Sequence, residues 1–183
     1  MNTPPNPLLV EGAKSYPPAL AAISEFRRLV QAGCRRVLVS NLEELAGAMS
    51  EDLDPKLIIN HAQPDKLGAG VDGRSAALGV QLWRKGQWRL FYCLLWRDGK
   101  LFAKTSIFIR NRVVAEQRYS VLNNKKQKSY PVYLQNREIY ISKEVSLDQV
   151  NDFAKILGTL SRDWVGLWRS VGGLKLKSSA PKP

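Results

Sequence analysis

The stretch Trp88-Arg89-Leu90-Phe91-Tyr92-Cys93-Leu94-Leu95-Trp96-Arg97, then Asp98-Gly99, then Lys100-Leu101-Phe102-Ala103-Lys104-Thr105-Ser106-Ile107-Phe108-Ile109-Arg110, decides the fold. Both runs are rich in aromatic and β-branched residues, and Asp-Gly between two such runs is a strong signal for a two-residue hairpin turn. A two-residue turn sets Arg97 opposite Lys100 and Trp96 opposite Leu101, and the pairing continues outward. Because strand side chains alternate, one face then carries Trp88, Leu90, Tyr92, Leu94 and Trp96 with Leu101, Ala103, Thr105, Ile107 and Ile109. That face is apolar and belongs on a core. The opposite face carries Arg89, Phe91, Cys93, Leu95 and Arg97 with Lys100, Phe102, Lys104, Ser106, Phe108 and Arg110.

Phenylalanines interleaved with cations suit a surface that stacks bases and meets phosphates. A strand buried on both sides would also be apolar on both faces, with arginine at its ends. Leu78, Val80 and Leu82 extend this second face if Lys85-Gly86 is also a two-residue turn, which predicts partial cover by the N-terminal helices. Four of the five tryptophans precede an arginine (Trp83-Arg84, Trp88-Arg89, Trp96-Arg97 and Trp168-Arg169), so burying the ring aims the cation the other way.

Outward from the hairpin, strands are expected at 78–84, 88–96, 101–110, 113–121, 131–135 and 138–142. Asn123-Asn124-Lys125-Lys126-Gln127-Lys128 reads as a cationic loop. Ser146-Leu147-Asp148-Gln149 has the form of a capping box opening a long helix over 146–171, with Val150, Phe153, Leu157, Leu160, Trp164, Leu167 and Val171 on one stripe. Towards the N-terminus, Leu20, Ile23, Phe26 and Val30 have helical spacing that Gly33 should end. Arg36-Val37-Leu38-Val39 then reads as a strand, 42–50 as a short helix and Lys56-Leu57-Ile58-Ile59-Asn60 as another strand, a βαβ-like unit. The expected fold is therefore α+β: an antiparallel meander of five or six strands, a long C-terminal helix on one face and a small N-terminal α/β element. One domain spans 18–174 (18–60, 78–142 and 146–171 in turn), flanked by a flexible Pro-rich stretch over 1–17 and a disordered basic tail over 175–183.

The 183 residues include 28 Lys+Arg and 16 Asp+Glu, a formal net charge of +12. Residues 1–73 hold 7 cations and 9 acids, for −2, whereas residues 74–143 hold 15 cations and only Asp98, Glu116 and Glu138, for +12. The excess thus lies on the meander, and it points to a polyanionic or acidic partner. With 44% hydrophobic residues the chain can bury roughly 70% of its unfolded surface without a disulfide or metal. Its two cysteines, Cys34 and Cys93, suggest a reducing compartment. No apolar run approaches the ~20 residues of a membrane span, and the start lacks the pattern of a signal peptide. A cytoplasmic protein without a membrane partner is expected.

Catalytic motifs are incomplete. Gly68-Ala69-Gly70-Val71-Asp72-Gly73 matches G-x-G-x-x-G, but too few residues follow for a helix and no acid occurs before Asp98 to hold a ribose. His61 is the sole histidine, and Cys34 and Cys93 lack the spacing of a zinc site. A metal-dependent nuclease could draw on Pro64-Asp65 and Asp98-Gly99-Lys100, yet the turn already explains the latter. We therefore expect no catalytic residue, metal or cofactor. The expected function is non-enzymatic binding of DNA or RNA through Arg84, Arg89, Arg97, Lys100, Phe102, Lys104, Phe108, Arg110, Arg112, Arg118, Lys125, Lys126 and Lys128. The alternative is an interaction module or inhibitor that docks an acidic protein with the same cations.

Overall fold

Strands β2 (Trp88–Arg97) and β3 (Lys100–Ile109) pair in the expected register, from Arg97 opposite Lys100 to Trp88 opposite Ile109. Asp98 and Gly99 have φ of 51° and 75°, the two positive values that a type I′ turn requires. The computed structural model describes residues 7–49, 75–84, 88–125 and 129–173. In chain order its other elements are α1 (Pro7–Ser40), α2 (Leu42–Met49), β1 (Ser75–Arg84), α3 (Arg112–Asn123), β4 (Tyr133–Gln135), β5 (Glu138–Val145) and α4 (Phe153–Ser170). The sheet is fully antiparallel with five strands in the order β1-β2-β3-β5-β4. The fold is α+β, with the long C-terminal helix across one sheet face.

That face is the expected core. Leu90, Tyr92, Leu94, Ala103, Thr105 and Ile107 are fully buried, and α4 presents Leu157, Leu160, Trp164 and Trp168 to them. Within this core the Tyr92 hydroxyl and Ser161 Oγ are 3.0 Å apart, a hydrogen bond that ties β2 to α4. Helix α1 lies on the same side, with Phe26 edge-on to Trp96 at 5.6 Å between ring centres. α2 packs on α4, and the buried Arg118 of α3 reaches the Val171 carbonyl at the end of α4. The helices thus form one layer and the sheet the other.

Four expectations need correction. First, Arg36–Val39 is helical, not a strand, so no βαβ unit forms among the described residues; the expected strand over 56–60 lies outside them. Val30, Cys34, Val37 and Leu38 are buried while Arg35, Arg36 and Val39 are exposed, a period near 3.6 rather than 2. Gly33 does not end the helix. A Cβ there would stand 3.3 Å from the Ala154 Cβ, so its missing side chain lets α1 approach α4 closely. The helix also begins at Pro7, inside the Pro-rich stretch expected to be flexible; proline suits the first helical position because no N–H is needed there. Pro17 and Pro18 lie within it, ahead of the buried stripe that anchors it.

Second, 113–121 is not a strand but most of α3. The Asn111 side chain accepts a hydrogen bond from the Val114 N–H at 3.2 Å, and Ala115, Arg118 and Leu122 are buried at helical spacing. Third, the C-terminal helix opens with a 3₁₀ segment, Leu147–Asp152, and the Ser146 side chain makes no capping bond. α4 ends as foreseen: Gly172 and Gly173 have φ of 74° and 76°, and their N–H groups bond back to Arg169 and Trp168.

Fourth, β1 is turned over relative to the expectation. Leu78, Val80 and Leu82 face Leu94, Tyr92 and Leu90, inside the core. The register sets Arg84 opposite Trp88, so Lys85–Gln87 intervene, one residue more than a two-residue turn has. One residue of slip exchanges the faces of a strand. Gly79, Gln81 and position 83 therefore belong to the second face. Gly79 sits opposite Cys93, and a Cβ there would stand 2.6 Å from the Cys93 Cβ. Gly79→Val is expected to lower stability by ~1–3 kcal/mol through overpacking, measured as a fall in thermal midpoint. An unchanged midpoint would contradict this register.

Candidate functional site

The second face of the sheet, opposite the helix layer, holds most of the residues expected to bind. Its middle is buried and closed by an ion pair. Lys104, on β3, places Nζ 3.0 Å from Glu138 Oε1, and Ser106 Oγ donates to the same oxygen at 2.5 Å. The Lys104 ammonium also lies 4.5 Å from the centre of the Tyr140 ring, and Tyr140 stacks on Tyr133 at 5.1 Å. Lys104 and Ser106 are buried and Glu138 is half-buried. A charge largely removed from water in this way needs its partner, so the Lys104 ammonium is engaged within the sheet itself.

Around this middle, arginines lie on phenylalanines. The Arg97 guanidinium is 5.1 Å from the centre of the Phe102 ring, and its Nη1 donates to the Tyr140 hydroxyl at 3.4 Å. At the other end two guanidiniums share Phe108: Arg89 at 5.3 Å and Arg137 at 4.9 Å. Arg89 Nη1 also donates to Gln81 Oε1 at 3.4 Å, and Arg137 Nη1 donates to the Arg110 carbonyl at 3.2 Å. Each such contact with a partly exposed ring contributes about 0.5–1 kcal/mol and, more to the point, fixes where the cation sits. Phe91, Phe102 and Phe108 are half-buried. They are neither a bare platform nor a second core under the N-terminal helices, since α1 lies on the other side of the sheet.

The remaining expected residues divide by position. Lys100 pairs with Glu144 at 3.0 Å and Arg112 with Glu116 at 2.7 Å; both are exposed pairs, worth little to stability and open to competition. Arg110 is exposed at the β3–α3 junction. Arg118 does not belong to the face: it is buried in α3, and desolvation lowers its pKa. Position 84 pairs across from Trp88, on the core side of the register, and its side chain is not among those described. Lys125 is half-buried after α3, and Lys126 and Lys128 lie outside the described residues, as do His61, Pro64-Asp65 and Gly68–Gly73. Arg137, Glu138, Tyr133 and Tyr140 were not anticipated. Strands ending at 135 and beginning at 138 leave Arg137 in a two-residue turn, but only the pairing of β5 with β3 sets that turn beside the face.

Among the described residues no group of three His, Cys, Asp or Glu could hold a metal ion, and no helix is long and apolar enough to cross a membrane. No family model matches the sequence, and no curated protein matches it significantly.

Both cysteines are buried and free. Burial pushes the Cys93 thiol up to about 12, with Lys104 pulling it down and Glu138 pushing it up, and burial raises Cys34 as well. Tyr92 is raised by the same cause. All three groups release protons more readily when unfolded, from about pH 8.5 for thiols and about 10 for tyrosine. The stability they contribute is therefore complete below that range and is lost as the pH rises towards the folded values. Thermal midpoints should fall between about pH 8 and about pH 10.5, with less fall in a Cys34→Ala/Cys93→Ala variant. Equal alkaline loss in both proteins would contradict the thiol assignment.

Proposed function

We propose that this protein is a non-enzymatic, cytoplasmic nucleic-acid-binding protein whose second sheet face contacts the sugar–phosphate backbone. The observation that carries the reading is the set of three arginines, Arg89, Arg97 and Arg137, held on Phe102 and Phe108 of the face opposite the helix layer. Arginine matches phosphate with a planar fork of donors, and an aromatic shelf beneath it reduces the rotamer freedom lost on binding. Arg110, and Lys100 and Arg112 by exchange from their surface pairs, extend the same positive surface. Two free thiols fit a reducing compartment.

Contacts of this kind position a backbone and carry little sequence information, so binding should be general in sequence and steep in salt. Single- and double-stranded DNA and RNA probes are titrated by fluorescence anisotropy between about 50 and about 200 mM salt. Each of Arg89→Ala and Arg97→Ala should weaken binding and shrink the logarithmic salt slope by ~0.7 on single strands. No binding of any probe at the lower salt would overturn the reading. Retention of polyglutamate in that case would assign the face to an acidic protein instead.

A further inference from the structure

The fold contains two two-residue hairpin turns with positive φ at both positions. One is Asp98-Gly99, at 51° and 75°, where glycine fills the second position as it usually does. The other joins β4 to β5, between the paired Gln135 and Glu138: Asn136 at 48° and Arg137 at 70°. Asparagine tolerates its place, but arginine at the second position carries a Cβ where the backbone favours none. From there Arg137 accepts the Ile109 N–H at its carbonyl, at 3.0 Å, and sends its guanidinium over Phe108.

Arg89 is already on that ring, so the two guanidinium carbons are no more than about 10 Å apart, with the Arg110 backbone next to them. One anion over the ring would meet both cations and offset their mutual repulsion. Among the described residues no carboxylate pairs with Arg89, Arg110 or Arg137; Glu138, the acid next in sequence, is engaged by Lys104 and Ser106. The neighbouring N-terminus of α3 is not the attraction, because the Asn111 side chain already caps it.

We infer that Arg89 and Arg137 form a phosphodiester clamp on Phe108, and that the β4–β5 turn carries arginine in a glycine position for the sake of this contact. The inference deepens the nucleic-acid reading and rests on it for the source of the phosphate.

Arg137→Gly separates the turn from the clamp. The glycine relieves the backbone strain but also removes the Phe108 contact and the bond to Arg110, so the thermal midpoint should change little, while affinity for a single-stranded oligonucleotide falls about tenfold. Arg137→Lys, which keeps the charge but loses the fork of donors, should bind between the wild type and Arg137→Gly. Wild-type affinity in Arg137→Gly would overturn the inference; with Arg89→Ala and Arg97→Ala still impaired, the wider reading would stand. If the wild-type chain binds no oligonucleotide, the wider reading falls, and inorganic pyrophosphate then tests the clamp alone. Pyrophosphate stabilising the wild type but not Arg137→Gly supports the clamp, and no difference overturns it.

Discussion

Everything on the sheet follows from the register that Asp98-Gly99 imposes on β2 and β3. With two residues in the turn, Tyr92 and Thr105 fall on one side and Cys93 and Lys104 on the other, and the alternation leaves no third choice. The first side is apolar along its length and becomes the floor under α4 and α1. The second side is then committed to Arg89, Arg97, Lys100 and Lys104 and to Phe91, Phe102 and Phe108, whatever covers it. A slip of one residue would bury either Arg89 and Arg97 of β2 or Lys104 of β3 beneath Trp164 and Trp168, at a large desolvation cost. The helix layer and the cationic face are thus two results of one constraint.

The second side solves its own burial problem without helices. Lys104 has little access to water at the centre of the sheet, and Glu138 arrives from β5 to neutralise it through Oε1, which also accepts from Ser106. The pair links β5 to β3, in a sheet where β5 lies beside β3 and β4 lies outside it. Towards the rim, where water is available, carboxylates are replaced by rings: Arg97 rests on Phe102, and Arg89 and Arg137 on Phe108. A ring orients a guanidinium through its face without consuming its hydrogen-bond donors, whereas a bidentate carboxylate takes two of the five. Position on the face therefore decides which cations are structural and which keep their donors for another molecule.

How far the sequence could be read follows the same physics. The β2–β3 hairpin, its faces and the C-terminal stripe were legible because Asp-Gly fixes a turn length and α4 repeats its apolar residues over five turns. β1 was misassigned to the wrong face because Lys85-Gly86-Gln87 carries no comparable signal, and a single uncertain residue inverts a strand. Arg36–Val39 and 113–121 looked extended from their valines, but the buried positions, Val37 with Leu38 in one and Ala115, Arg118 and Leu122 in the other, are set by tertiary contacts that intrinsic preference does not contain. The candidate site was half legible. Its β2 and β3 residues came from alternation, whereas Arg137 and Glu138 depend on β5 docking next to β3, a pairing between distant parts of the chain.

The excess charge of residues 74–143 takes on a different meaning once it is distributed in space. Lys104 and Arg118 are buried, and Lys100 and Arg112 spend part of their charge on Glu144 and Glu116. The described cations of the second face that pair with no described carboxylate are Arg89, Arg97, Arg110 and Arg137, and all are arginines. A lysine on the same rings would present a point charge with free rotation; an arginine lies flat and leaves its outer edge of N–H groups facing outward. Three of the four are held at a known distance from a ring that the core register itself fixes. Orientation of that kind lowers the entropy an anion must overcome to bind, which a mobile lysine loop does not do. On the proposed reading, the spacing between Phe102 and Phe108 along one strand, rather than net charge, sets where these cations would meet an anion.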